Sequence, residues 1–219
     1  MRKQTLFGVA GALIALILVL VGCPTEASDS PPSGKVGEKT LTLKGTVYTL
    51  NGTTYTNAAT AYDGSVDGSP DGTGEIDKGK LEFSVKPLPD SALTLPFDNT
   101  AVSYLLEGAL YTGITITPTD ATYTVLNLET EKGSTLTPYN TSVSGSSVKS
   151  EYVIYLYLSE DVKITGTKST TLDLGQPSKL DISLVKGWNI LYRKYEVKAS
   201  GQSTSIKVEK HNLKWVIYP

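Results

Sequence analysis

Glu151-Tyr152-Val153-Ile154-Tyr155-Leu156-Tyr157-Leu158 is the stretch that decides the fold class. It is apolar or aromatic on both faces, so an extended segment here meets protein on each side and marks a central strand buried twice. Downstream, Leu180, Ile182 and Leu184 alternate with polar residues, the chain turns at Lys186-Gly187, and Trp188 to Val197 alternates again. Ser203 to Val208 and Leu213 to Tyr218 are expected to complete an antiparallel meander.

Upstream, Leu41, Leu43 and Val47 alternate with Thr42, Lys44, Thr46 and Tyr48, a period of two that reads as a strand. Asn51-Gly52 predicts a tight turn into Thr53 to Tyr62. Leu81, Phe83 and Val85 share one face of a strand over Lys80 to Lys86, and Pro87, Pro89 and Pro96 interrupt pairing until Phe97. Ala101, Val102, Leu105 and Leu106 have helical spacing over Thr100 to Glu107, with Asp98 or Asn99 as the cap. Further strands are expected at Ile114 to Thr117 and at Thr122 to Glu129, where Tyr123 and Val125 face one way and Leu126 and Leu128 the other. Thr, Ser, Gly and Asn dominate Glu131 to Ser147, which reads as a long loop. Many short strands joined by Gly-rich turns predict an all-β protein, an antiparallel β-sandwich over residues 39–219. A single domain is the preferred reading, and two small β-domains meeting near residue 97 are the alternative.

The amino terminus carries a different signal. Arg2 and Lys3 precede an apolar run from Leu6 to Val21, sixteen residues long and interrupted by Gly8 and Gly11. A spanning helix needs ~20 apolar residues, so the run is too short to cross a bilayer. It ends in Leu20-Val21-Gly22-Cys23, with the only cysteine of the chain. This arrangement resembles the lipobox of bacterial lipoprotein signal peptides. The resemblance implies cleavage after residue 22, a diacylglycerol on the Cys23 thiol, and attachment to the lipid bilayer of the cell envelope, the outer membrane preferred. Residues 23–38, rich in Pro, Ser and Asp, are expected to form a flexible tether.

Two local likenesses accompany it. Gly45-Thr46-Val47-Tyr48 followed by Asn57-Ala58-Ala59-Thr60-Ala61-Tyr62 is similar to the opening of carboxypeptidase-regulatory-like and transthyretin-like β-domains, although the acidic loop after Tyr62 departs from their pattern. Lys186-Gly187-Trp188-Asn189-Ile190-Leu191-Tyr192, with Leu213-Lys214-Trp215, looks like uncharacterised lipoproteins of spirochaetes such as treponemes. That second likeness implies a β fold and an anchored protein, and no chemistry.

Charge is uneven. Without Arg2 and Lys3 the chain keeps 18 basic against 22 acidic residues; Cys23 to Val148 is acidic, while Lys149 to Pro219 is basic. Neither half has the cation density of a nucleic-acid binder. A lipidated Cys23 leaves no thiol for a disulfide, so stability must come from the core.

Few constellations carry chemistry. Asp63, Asp67, Asp71, Glu75 and Asp77 lie on a Gly-rich stretch whose carboxylates could wrap calcium, a hard cation that takes six to eight oxygens. The closing Glu of an EF-hand would fall on Lys78, so the plain reading is a solvated acidic loop. His211 is the sole histidine, it is expected on a surface turn, and no Gly-x-Ser-x-Gly elbow exists. One histidine and an acylated cysteine exclude a Cys/His zinc site, and phosphate-loop and dinucleotide fingerprints are absent. No pair of carboxylates stands out for glycoside hydrolysis.

Trp188, Tyr192 and Trp215 are candidate ligand-binding residues, since rows of rings stack on sugars or seat partner proteins. The competing reading places both tryptophans in the core. Arg193, Lys194, Lys198, Lys207, Lys210 and Lys214 could meet lipid headgroups or an acidic polysaccharide, or simply protect strand edges. The expectation is a non-enzymatic envelope lipoprotein with a structural or adhesive role and no cofactor, contacting an envelope protein or glycan. The alternative is a glycan- or calcium-binding β-module.

Overall fold

The computed structural model describes residues 34–63, 72–106, 111–168, 179–199 and 201–219, which fall in one compact unit. The chain runs through β1 (Lys35–Gly37), β2 (Leu41–Thr49), β3 (Ala59–Asp63), β4 (Gly72–Asp77), β5 (Lys80–Val85) and β6 (Leu95–Pro96). The helix α1 (Asn99–Leu106) follows, then β7 (Tyr111–Thr117), β8 (Thr122–Val125), β9 (Leu128–Thr130), β10 (Thr135–Ser144) and β11 (Ser147–Leu158). The remaining strands are β12 (Val162–Lys168), β13 (Lys179–Leu184), β14 (Gly187–Lys198), β15 (Gly201–Val208) and β16 (Trp215–Tyr218).

The architecture is an all-β sandwich. Its middle layer is built on β11 and β14, paired antiparallel from Val148↔Val197 to Leu158↔Gly187, with β1 and β15 against β14 and β8 against β11. Val153, Tyr155 and Tyr157 of β11 join Trp188 and Ile190 of β14 in one core beneath the curved sheet that contains β2, β5 and β16. Leu156 and Leu158, with Leu191, face the opposite way, into a second core shared with α1, β12 and β13. The doubly apolar run is therefore a central strand with protein on both sides.

That second core is covered by the antiparallel sheet β13-β12-β7. Val162, Ile164, Leu180, Ile182 and Leu184 point inward, while Lys163, Lys179, Asp181 and Ser183 lie exposed, the alternation of a half-solvated sheet. Helix α1 is capped by Asp98, whose Oδ1 accepts the N–H groups of Thr100 at 2.8 Å and Ala101 at 3.0 Å.

The curved sheet closes on itself. β16, β2, β5, β4, β3 and β9 follow one another, and the first half of β10 pairs with β9 on one side and β16 on the other. A closed circuit of seven strands cannot alternate direction throughout, and the single parallel junction is β16 against β2. β10 leaves this circuit at Pro138, which has no N–H to give a ladder, and from Tyr139 onward pairs with β11.

Several expectations need correction. Glu131 to Ser147 is not a long loop: Thr135–Ser144 is a strand, because β9, β16 and β11 supply its hydrogen bonds. Thr122 to Glu129 is two strands in different sheets, yet Tyr123 and Val125 do pack in the second core and Leu126 and Leu128 in the first. The carboxy-terminal meander holds only for β14 and β15; β13 pairs with β12, and β16 pairs with β10 and β2. Order begins before Lys39, since Lys35–Gly37 pairs with β14 and the Gly34 N–H donates to the Val208 carbonyl at 3.1 Å.

Candidate functional site

Of the residues singled out in the sequence, Lys210, His211, Lys214 and Trp215 line one groove, and the other described ones lie elsewhere. Cys23, Asp67 and Asp71 lie outside the described residues. Asp63 closes β3, while Glu75 and Asp77 stand exposed on β4, opposite Glu82 and Lys80 of β5. Residues 72–77 are thus a ladder strand rather than part of a loop, which holds Glu75 and Asp77 on one outer face while Ile76 points inward. Among the described residues, no group of three or more His, Cys, Asp or Glu side chains could hold a metal ion.

The aromatic trio is divided too. Trp188 is 0% exposed and Trp215 is 2% exposed, so both rings are core and present no row to a sugar. Trp188 meets Tyr157 edge-on at 5.0 Å, and its Nε1 donates to the Lys86 carbonyl at 3.4 Å. Tyr192 is half-buried and its hydroxyl donates to Glu151. Burial, then that hydrogen bond, pushes the Tyr192 phenol up. Burial opposes ionisation of Glu151 itself, but Lys149, Tyr192 and Asn140 outweigh it and hold the carboxyl below its ordinary value.

Most of the basic group is also spoken for. Arg193 is buried, its guanidinium donating to the Leu105 carbonyl at 3.2 Å, where a cation complements the carboxy-terminal end of α1. Lys194 and Lys198 each meet Glu196 at 3.1 Å, and Lys207 lies 3.9 Å from Glu209.

Lys210 and Lys214 behave differently. With Lys44 they line a groove of about 640 Å³ between β2 and the irregular segment 210–214 that leads into β16. Its apolar lining comes from Leu41, Leu43, Tyr155, Ile190, Leu213 and Trp215, and no Asp or Glu lines it. Gly45 is the one β2 position without a side chain there, because a Cβ would stand 2.5 Å from Cδ1 of Trp215.

His211 lines this groove, half-buried, rather than standing on an open surface turn. Its Nδ1 accepts the Leu213 N–H at 3.1 Å, so the proton of the neutral ring sits on Nε2, which lies 2.8 Å from the Tyr155 hydroxyl and donates to it. Burial pushes His211 down to about 4 and raises the Tyr155 phenol. The pair is neutral at physiological pH, and the one basic nitrogen is already occupied by a backbone N–H. This arrangement can donate and accept hydrogen bonds, but no free imidazole nitrogen faces a nucleophile. Tyr155 in turn stacks on Trp215, with ring centres 6.1 Å apart and planes 10° from parallel.

Sequence reasoning missed the pairing of His211 with Tyr155. The available signal was the hydroxyl at Tyr155 inside a doubly buried strand, a polar atom that needs a partner. Compared with family models, curated proteins and solved structures, the chain matches none.

Proposed function

We propose that this protein is a non-enzymatic adhesive module of the bacterial envelope, anchored by lipid at Cys23 and gripping a partner protein through the groove beside β2. The observation that carries the reading is the groove itself: three lysines above an apolar floor, no lining carboxylate, and a sole histidine committed at both nitrogens. Such a surface is suited to holding rather than turning over. Leu20-Val21-Gly22-Cys23 supports the anchor, and two acyl chains meet the condition for lasting attachment, at ~0.8 kcal/mol per buried methylene. Among the described residues no helix is long and apolar enough to cross a membrane.

Neither alternative gains a comparable observation. Trp188 and Trp215 are buried, and Asp67 and Asp71 lie outside the described residues.

Metabolic labelling with palmitate in a bacterial host tests the anchor. The intact chain takes up label and Cys23→Ser does not, and mass spectrometry finds a diacylated mature terminus at Cys23. An unlabelled wild-type chain, or one with a free Cys23 thiol, overturns the anchored reading.

A further inference from the structure

The two sides of β2 are used unequally. Toward β5 the ladder is continuous from Leu41↔Val85 to Thr46↔Lys80. On the other side only Val47, Tyr48 and Thr49 are paired, with β16. The direction of the remaining backbone groups follows from Val47, whose N–H donates to the Gly79 carbonyl and whose carbonyl accepts the Tyr55 N–H. Both groups of Val47 therefore point to the β5 side. Successive residues of a strand alternate, so the N–H and C=O groups of Thr42 and Lys44 point the other way, into the groove. Among the described residues no strand pairs with β2 there.

The reason for the opening lies in the segment before β16. Continued straight, it would carry Asn212 to Lys214 alongside Lys44 to Thr46, in register with Trp215↔Val47. Instead His211 turns the chain on itself through the Leu213 N–H, and Tyr155 holds the ring from below. A lane is left beside β2 with backbone groups along one wall and apolar side chains beneath. The six residues from Leu41 to Thr46 offer ~20 Å of edge at ~3.3 Å per residue.

We propose that this lane receives an extended acidic segment of a partner protein, added as a strand to the open edge of β2. Residues of the guest beside Leu41 and Leu43 point to the apolar floor, and residues beside Thr42 and Lys44 point to solvent. The chemistry of the floor thus asks for apolar residues at every second guest position. The charge of the rim asks for carboxylates: Lys210 and Lys214 line the groove with Lys44, which shares its charge with Glu82 at 2.9 Å, and no acidic residue lines it. Lys214 lies over the Tyr48 ring at 4.8 Å, which places its ammonium beside the guest strand. The proposal deepens the adhesive reading by naming the class of partner, and it does not depend on lipid at Cys23.

The test uses the intact chain in detergent and the peptide acetyl-TEVEVET-amide, followed by tryptophan fluorescence and by amide exchange at Thr42 and Lys44. The acidic peptide binds, protects those two amides, and binds at least about tenfold tighter than acetyl-TKVKVKT-amide, with the preference lost in Lys210→Glu/Lys214→Glu. The same acidic peptide, N-methylated at alternate residues on its pairing edge, loses binding because it cannot form the ladder. Equal binding of the methylated peptide overturns strand addition, as does no binding of the unmodified one. Binding that appears only after residues 24–33 are replaced by a Gly-Ser stretch assigns the lane to this chain's own segment and also overturns the proposal. Palmitate labelling is read separately, so a blank label with peptide bound defeats the anchor alone, and the reverse defeats the lane alone.

Discussion

His211 and Tyr155 show how a single contact alters the meaning of a residue. As a lone histidine between Lys210 and Asn212 it reads as solvated, yet its ring closes a hydrogen bond to a phenol that is almost wholly buried. Its consequence for stability has a definite sign. The folded chain holds His211 at about 4 against an ordinary 6.5, so the unfolded chain binds more protons between those values. Stability from this group is complete above about 6.5 and is lost as pH falls toward 4, by about 2 kcal/mol once partial solvent access is allowed for. Denaturant titrations at several pH values check this: His211→Gln should flatten the slope in that window, whereas an unchanged slope would remove the histidine from the account. Glu151 acts lower, since its carboxyl is held below the ordinary range, and its contribution disappears only as that group protonates.

At the scale of elements, hydrophobic alternation succeeded wherever one face was buried. β2, β5 and β13 carry apolar residues on one face with polar residues on the exposed side, whereas β14, like its partner β11, is buried on both faces from Gly187 to Leu191 and does not alternate there. α1 was legible because its cap and its apolar spacing agree. Replacing Asp98 by Ala leaves the Thr100 and Ala101 N–H groups without their acceptor, and should cost about 1 kcal/mol. Thermal melts followed by circular dichroism would show it, and a Tm equal to wild type would mean the cap is dispensable. β10 was illegible for the converse reason. Its second half, Asn140 to Ser144, is polar with only Val143 apolar, so no pattern announces a strand. Thr, Tyr and Val still favour extended backbone, and three neighbouring strands decide the outcome. β4 reads as loop because Gly72 and Gly74 break its apolar face, but those glycines are where Phe83 and the β5 backbone approach too closely for a Cβ.

For the whole molecule, the short β16 has an effect out of proportion to its four residues. It joins β10 to β2 and provides the parallel junction that an odd circuit needs, while Trp215 and Ile217 fill the first core. Deleting Trp215–Pro219 should therefore abolish the cooperative thermal transition rather than trim its midpoint. Calorimetry checks this, and a sharp transition in the truncated chain would show that the circuit is not needed for folding. Trp215→Ala, which keeps the backbone, should cost about 3–5 kcal/mol.

The class of the fold, the strand buried on two faces, and the sides to which Tyr123, Val125, Leu126 and Leu128 turn can be read along the chain, because each follows from local period and burial preference. Which strands are neighbours, where the circuit closes, and that His211, Tyr155, Lys44 and Trp215 share one groove emerge in the folded molecule alone. Those facts join positions that stand far apart in the chain, and hydrogen bonds between distant strands depend on backbone groups that every residue carries alike.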